Sequence, residues 1–388
     1  MRKSLKILKA LNNIDNRFLN NDSYSEILSK TSFKEKCINC INNFRLRKLN
    51  PAFIVAIVCI SILLAGSVYA ATIIYNNYIR NITNNNITIN PAYQSTLDEN
   101  TINNIWIGTL DIAWKDLKER IGIKNIEIVG GNPKIVDELN ASTFSKDMLD
   151  SNDYDINIEE IVINTYKIDA TLNKNLNFLQ SFDNFSNFYT NMKFGNNEEF
   201  IKYFGINNAS PEEMNKNVEI LFYNQKNDMA IKLKTKEGDE IILYRTDDKK
   251  SFDEYYKDIE LKSNKYVGST VLSKDDELRI PYISINGMIS YNELYNKIIK
   301  NSAFYLLDVI QNVNFSLNEQ GCNLSGKASV IIETDGLSLN AKHLYFNDTF
   351  ILFMKEKNIN KPYFALKVDN SDILEKIEET DSNSISQT

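Results

Sequence analysis

The chain has 388 residues, with 44 Lys and Arg against 51 Asp and Glu, for a net charge of −7. That acidic balance argues against a nucleic-acid binder, while 43% hydrophobic residues supply enough apolar mass for a core. Four cysteines rule out a disulfide scaffold, and one histidine excludes any mechanism that needs a histidine base beside histidine ligands.

The charge is divided along the chain. Residues 1–50 hold eleven Lys and Arg and four Asp and Glu, net +7, so the remainder carries −14. Leu5, Leu8 and Leu11 among Lys3, Lys6 and Lys9 predict a short basic helix with one apolar stripe. Such a helix suits either the anionic inner leaflet of a membrane or a cytoplasmic protein partner. Residues 6–19, KILKALNNIDNRFL, resemble the starts of membrane-bound anti-sigma regulators of clostridia. Cys37 and Cys40 form a lone CxxC with no further ligands nearby, which reads as a reduced dithiol rather than a zinc site.

From Ala52 to Tyr75 no residue is charged. At about 1.5 Å per residue the run is long enough to cross a hydrocarbon core of about 30 Å, which predicts a transmembrane helix over 51–76. Arg45, Arg47 and Lys48 precede it, and Arg80 is the only basic residue between it and Lys115. The positive-inside rule then places residues 1–50 in the cytoplasm and the large C-terminal part outside the cell. A cleaved signal ending near Val68-Tyr69-Ala70 is the rival reading, but a fifty-residue basic leader argues for an uncleaved single-pass anchor. About one residue in seven is asparagine, a composition that suggests an AT-rich bacterial genome.

Residues 77–103 read as an Asn-rich stalk, 104–370 as an extracytoplasmic domain and 371–388 as a polar tail. Trp106, Leu110, Trp114, Leu117 and Ile121 recur at helical spacing and predict a helix over 104–121. Asn132-Pro133 predicts the start of another. Strands are expected at 160–170, 218–223, 229–234, 240–245, 278–285, 306–318 and 349–367, with helices at 251–261 and 291–300. The fold class is therefore α+β with mixed and antiparallel sheets.

No enzyme is read from this chain. His343, between Lys342 and Leu344, has no nucleophile signature around it, and no GxSxG, HExxH, P-loop or GxGxxG occurs. No metal or cofactor site is expected either.

Residues 314–370 change the question. Glu319-Gln320-Gly321, a run of small residues, Phe346, the apolar strand Thr349-Phe350-Ile351-Leu352-Phe353 and the closing strand Phe364-Ala365-Leu366-Lys367-Val368 resemble the C-terminal third of serpins. Residues 217–259 and 278–300 continue the likeness, the latter as a strand followed by a helix. Asn164-Thr165-Tyr166 with Ala170 matches the spacing of the family's central-sheet asparagine motif. The helical half before that motif is short, and residues 1–100 show no likeness.

The resemblance implies an exposed reactive loop that a protease takes as substrate and that then inserts into the main sheet. It puts the loop hinge at Glu319, Gly321, Cys322, Leu324, Gly326 and Ala328. The scissile bond falls at Asp335-Gly336, with Ile332, Glu333 and Thr334 leading up to it. An acidic bait of this kind suits a protease with a basic pocket. Insertion requires every second residue to enter the core, and Cys322, Leu324, Gly326, Ala328, Val330 and Ile332 form such an inward set. Asn164 and Gln311 are implied to meet where the sheet parts. Leu172 replaces the usual tryptophan, Tyr282 the lysine that pairs with the hinge glutamate, and Thr349 the usual proline. These features together describe a membrane-anchored serpin-like inhibitor of an extracellular protease. The alternative is a non-inhibitory transmembrane sensor whose basic N-terminal segment binds a cytoplasmic regulator.

Overall fold

A computed structural model describes residues 87–97, 102–185, 192–196, 200–323 and 341–377. The chain divides into two compact units, one of residues 1–80 with 161–163, the other of residues 81–160 and 164–388. The second carries the fold set out below. The expected transmembrane helix, the basic segment and the CxxC lie outside the described residues. Among the described residues no helix is long and apolar enough to cross a membrane.

In chain order, β1 (Ile87–Ile89) and β2 (Asn103–Ile107) lead into helix α1 (Thr109–Ile121), followed by α2 (Lys134–Ala141), β3 (Tyr154–Val162) and β4 (Thr165–Leu172). Short strands come next: β5 (Leu176–Asn177), β6 (Asp183–Asn184), β7 (Met192–Lys193), β8 (Phe200–Ile201) and β9 (Tyr203–Ile206). A meander of β10 (Val218–Gln225), β11 (Asp228–Lys234) and β12 (Glu240–Arg245) precedes α3 (Phe252–Lys265). The remaining strands are β13 (Glu277–Pro281), β14 (Ile283–Ser290), β15 (Lys297–Ile298), β16 (Tyr305–Asn318), β17 (Gly321–Asn323), β18 (His343–Tyr345), β19 (Phe350–Lys355) and β20 (Phe364–Val368). The described part is thus a mixed α+β fold in which sheets predominate.

One sheet runs β1-β2-β20-β19-β12-β11-β10. Its middle strands are buried on both faces, which is why β19 (FILFMK) and β20 (FALKV) are apolar almost throughout rather than alternating. β11 lies nearer the edge, and there Met229, Ile231 and Leu233 are buried while Lys232 and Lys234 stay half-exposed. α3 closes over this sheet with Phe252, Tyr255, Tyr256 and Ile259. It begins where Ser251 accepts from the Glu254 amide and the Glu254 carboxylate accepts from the Ser251 amide, a capping box.

A four-stranded sheet runs β18-β13-β9-β6. β9 and β13 approach so closely that a Cβ on Gly205 would stand 1.8 Å from the Leu278 carbonyl oxygen, so only glycine fits. The third sheet runs β3-β4-β16-β17-β5, with β14 and β15 also paired to β16.

Several expected elements differ. Residues 104–121 are not one helix. Trp106 lies in β2, Gly108 makes the break, and α1 starts at Thr109. Both Trp106 and Trp114 are core residues, so their spacing of eight mimicked one helical face although two elements supply them. α1 stops at Gly122, whose left-handed φ of 71° lets its amide reach back to the last turn. Asn132 does not cap α2. Its side-chain Oδ1 accepts from the Ile128 backbone amide and its Nδ2 donates to Asp137, while Pro133 holds the cap position.

No helix forms over 291–300. That stretch is a 3-10 turn at Asn292–Leu294 followed by β15, because Asn296 takes a left-handed φ of 51° and the chain pairs with β16. Within the stretch expected as a stalk, β1 joins the edge of the first sheet and Ala92 is fully buried. In the stretch expected as a tail, Ile373 and Leu374 pack into the core.

Candidate functional site

Glu319, Gly321 and Cys322, the described residues of the expected hinge, follow β16, the longest of the described strands. β14 pairs antiparallel with it from Ser290↔Ile310 to Ile283↔Leu317 and so occupies one edge. β4 pairs with residues 305–312 in parallel, and β17 pairs antiparallel with residues 316–318. Both overlap the span already taken by β14, so both lie on the opposite edge.

β17 has a second partner. Gly321 stands opposite Asn177 and Cys322 opposite Leu176, on β5. β4 and β5 are one strand interrupted only at 173–175. The sheet is therefore closed at one end, where β4 touches β16. It is parted at the other, where the three residues of β17 are wedged between β16 and β5.

The reversal that makes this wedge is specified locally. The Asn318 side chain accepts from the Gln320 amide at 2.9 Å, an Asx turn. Phe178 and Phe182 donate their amides to the carbonyls of Gln320 and Glu319, both at 2.9 Å, and hold the turn against the strand across the gap. Gly321 has a φ of 152°, and a Cβ there would stand 2.0 Å from the Leu176 carbonyl oxygen. Glu319 is buried, and Tyr282 donates its hydroxyl to the Glu319 carboxylate at 2.5 Å. Tyr282, where the resemblance implies a lysine, thus makes a buried hydrogen bond to Glu319.

Cys322 faces inward and is 1% exposed, with its Sγ 3.8 Å from the Met354 sulfur. Burial pushes its thiol pKa up, so it stays protonated. Leu324, Gly326 and Ala328, expected in the hinge, and Ile332, Glu333, Thr334, Asp335 and Gly336, expected around the scissile bond, lie outside the described residues.

Asn164 and Gln311 are not brought together. Asn164 sits between β3 and β4 at a left-handed φ of 62°, a conformation asparagine tolerates, and its carbonyl accepts from the Tyr305 amide. Gln311 lies further along β16, opposite Ala170. The parallel register, set by Tyr305↔Thr165, keeps the two apart. Gln311 instead donates to the Ile107 carbonyl at 3.1 Å and the Thr109 hydroxyl at 2.9 Å, and accepts from the Tyr291 hydroxyl at 2.7 Å. All four groups are buried.

Residue spacing missed this set. Its members come from β2, α1, the turn after β14 and β16, and a hydroxyl or a carbonyl has no period of its own. Gly108, between an apolar strand and a helix, was the one sequence signal that the chain turns there.

Lys174 is a second residue that spacing did not select. It sits in the 173–175 interruption, 6% exposed, and is ion-paired with Asp153 at 2.7 Å, Asp239 at 2.8 Å and Glu356 at 2.8 Å. Tyr363 donates to Asp239 at 2.8 Å and lays its ring under the ammonium, 4.9 Å away. Burial alone would lower the lysine pKa, but three carboxylates outweigh it and raise the value. Asp239 is shifted up by its own burial. The cluster ties the strand beside the gap to the start of β3 and to the one end of the β12–β19 pair where β12 begins and β19 stops. His343, on β18, lies 3.1 Å from the Tyr345 hydroxyl. No metal-ligating group of three is present among the described residues.

No protein-family model matches the chain, and no curated protein matches it. Similar solved structures are serpins. One is a highly specific serpin of the insect Tenebrio molitor, at 11% identity and a TM-score of 0.33, covering 53% of this chain and 56% of that one. Another is a serpin of the trematode Schistosoma haematobium, at 13% identity and 0.35, covering 53% and 56%. A third is human thyroxine-binding globulin in complex with thyroxine, at 12% identity and 0.35, covering 55% and 58%. The chain spans a little over half the length of each. TM-scores of this size carry no assignment by themselves.

Proposed function

We propose that the chain is a serpin-like protein that inhibits a protease through the loop between β17 and β18, and that its apolar run at 52–75 anchors it in a membrane with the described domain outside the cell. The observation that supports this reading is the wedge. β17 enters a sheet parted between β5 and β16, in the direction and on the edge that further insertion would take. Continued insertion places Leu324, Gly326, Ala328, Val330 and Ile332 on the inward side already occupied by Cys322. As far as Gly326 each step would add ladder hydrogen bonds that the parted strands lack, and beyond it the loop would displace β4 from β16, exchanging one ladder for two. A cut at Asp335-Gly336 would free the loop to follow that path and release the strain of the open sheet.

The test is cleavage of the full-length chain by a protease that cuts after acidic residues. Cleavage near Asp335 should raise the melting temperature, or leave a protease complex that survives SDS, and the same protease added to intact cells should reach the loop. Cleavage at that bond with neither outcome would overturn the inhibitor reading.

A further inference from the structure

A cleft of about 580 Å³ opens beside the sheets, away from the loop hinge. Its walls include every residue from 285 to 293 and every residue from 87 to 91. A strand that shows its face to a cavity contributes alternate residues, because successive side chains point to opposite sides. Unbroken runs mean that β14 and β1 both present their edges, with the backbone N–H and C=O groups that edges carry.

Among the described residues β1 is the last strand of its sheet and pairs with β2 alone. β14 gives its inner edge to β16, and its outer edge meets Leu374 in an antiparallel bridge at Ile283, with the Glu375 amide donating to the Tyr282 carbonyl at 3.1 Å. Beyond that bridge no strand among the described residues pairs with the outer edge of β14.

The remaining chemistry limits what can fill the space. Ile89, Ile135, Ile289 and Val313 supply apolar walls. Lys134 and Glu138, the charged pair at the α2 side, neutralise each other at 3.2 Å, and Ser95 donates to Glu138 at 3.0 Å. Gly287 has nothing within 4 Å of where a Cβ would stand. A volume of this size is in the range of a site for a short ligand.

We propose that the cleft takes an extended peptide with aliphatic side chains at alternate positions, which adds to the outer edge of β14 as an antiparallel strand and continues the pairing that Leu374 begins. Its amides bond the β14 edge, and its inward side chains pack between Ile89 and Ile289. The site is independent of the hinge, so it stands or falls apart from the inhibitor reading.

The probe is a fluorescein-labelled, end-blocked hexapeptide of alternating threonine and valine. It is titrated by anisotropy against the full-length chain in lipid nanodiscs, with empty nanodiscs subtracted. Saturable binding is expected, at least tenfold weaker for the same peptide N-methylated at alternate amides, because the lost donors are those a strand would use. Gly287→Phe, which meets no neighbouring atom at Cβ, should also weaken binding at least tenfold while leaving the melting temperature unchanged. No saturable binding, equal binding of the methylated peptide, or binding untouched by Gly287→Phe each overturns the proposal.

Discussion

Asp111 shows what enclosure does to a single carboxylate. It stands in the first turn of α1, where the helix dipole favours a negative charge, and Trp106 donates to its Oδ2 at 3.0 Å. Ser142 and Lys115 also act to keep it ionised, while its other oxygen is buried without a well-formed hydrogen bond. Burial outweighs all of these and lifts the pKa to about 7. The folded value lies above the unfolded one of about 3.9, so the folded state binds the extra proton. Stability should therefore fall as pH rises from about 4 through 7 and level off above it. Asp111→Asn keeps an acceptor for Trp106 and removes the charge. We expect it to melt higher than the parent at pH 8, with a gain of a few kcal/mol at most, since each tenfold difference in proton affinity between the folded and unfolded states is worth about 1.36 kcal/mol. The two curves should converge near pH 4, and a parallel pair of pH profiles would count against the assignment.

Lys174 is the opposite case, a buried cation compensated by three carboxylates. Removing it leaves Asp153, Asp239 and Glu356 facing one another with no counter-charge. Lys174→Met should cost about 3–5 kcal/mol in denaturant unfolding, the range for stranding a buried charge. Adding Asp239→Asn should return part of that loss, since it relieves the repulsion the first change creates. Additive losses from the two substitutions would show that the cluster does not act as a unit.

At the scale of elements the decisive piece is three residues long. β17 exists because Asn318 turns the chain and Gly321 alone fits against Leu176. Gly321→Ala puts a methyl group into a backbone oxygen and should cost about 1–3 kcal/mol. Hydrogen exchange should quicken at Cys322 and Leu176, whereas Gly287→Ala, in open space, serves as the neutral control. Unchanged exchange at Cys322 would mean that the wedge does not depend on the glycine.

Much around this element was legible in the chain. The meander β10–β12, the long β16 and α3 follow from which of their own residues are apolar, whereas the single strand expected over 349–367 is two, β19 and β20, separated by a turn. Residues 291–300 were misleading for the same reason. Tyr291 and Leu294 are buried at helix-like spacing, but asparagine at left-handed positions and pairing with β16 favour a turn and a strand. The inward setting of Cys322 was readable by counting, whereas the partners of Gln311 were not.

At the scale of the whole molecule, the charge of −7 is the sum of a basic segment at +7 and a remainder at −14. Composition determined that partition without any coordinates, along with the uncharged run at 52–75, the absence of catalytic motifs and the prevalence of strands. These are properties of residues and near neighbours, and they survive in any fold. The tertiary structure alone decided that Asn164 and Gln311 stand apart, that the Tyr282 hydroxyl reaches Glu319, that Lys174 gathers carboxylates from three turns, and that β17 lies between β5 and β16. Each depends on strand register between segments distant in the chain. Pairing one residue to either side would reverse every side chain, and the choice is made by what the whole core can bury.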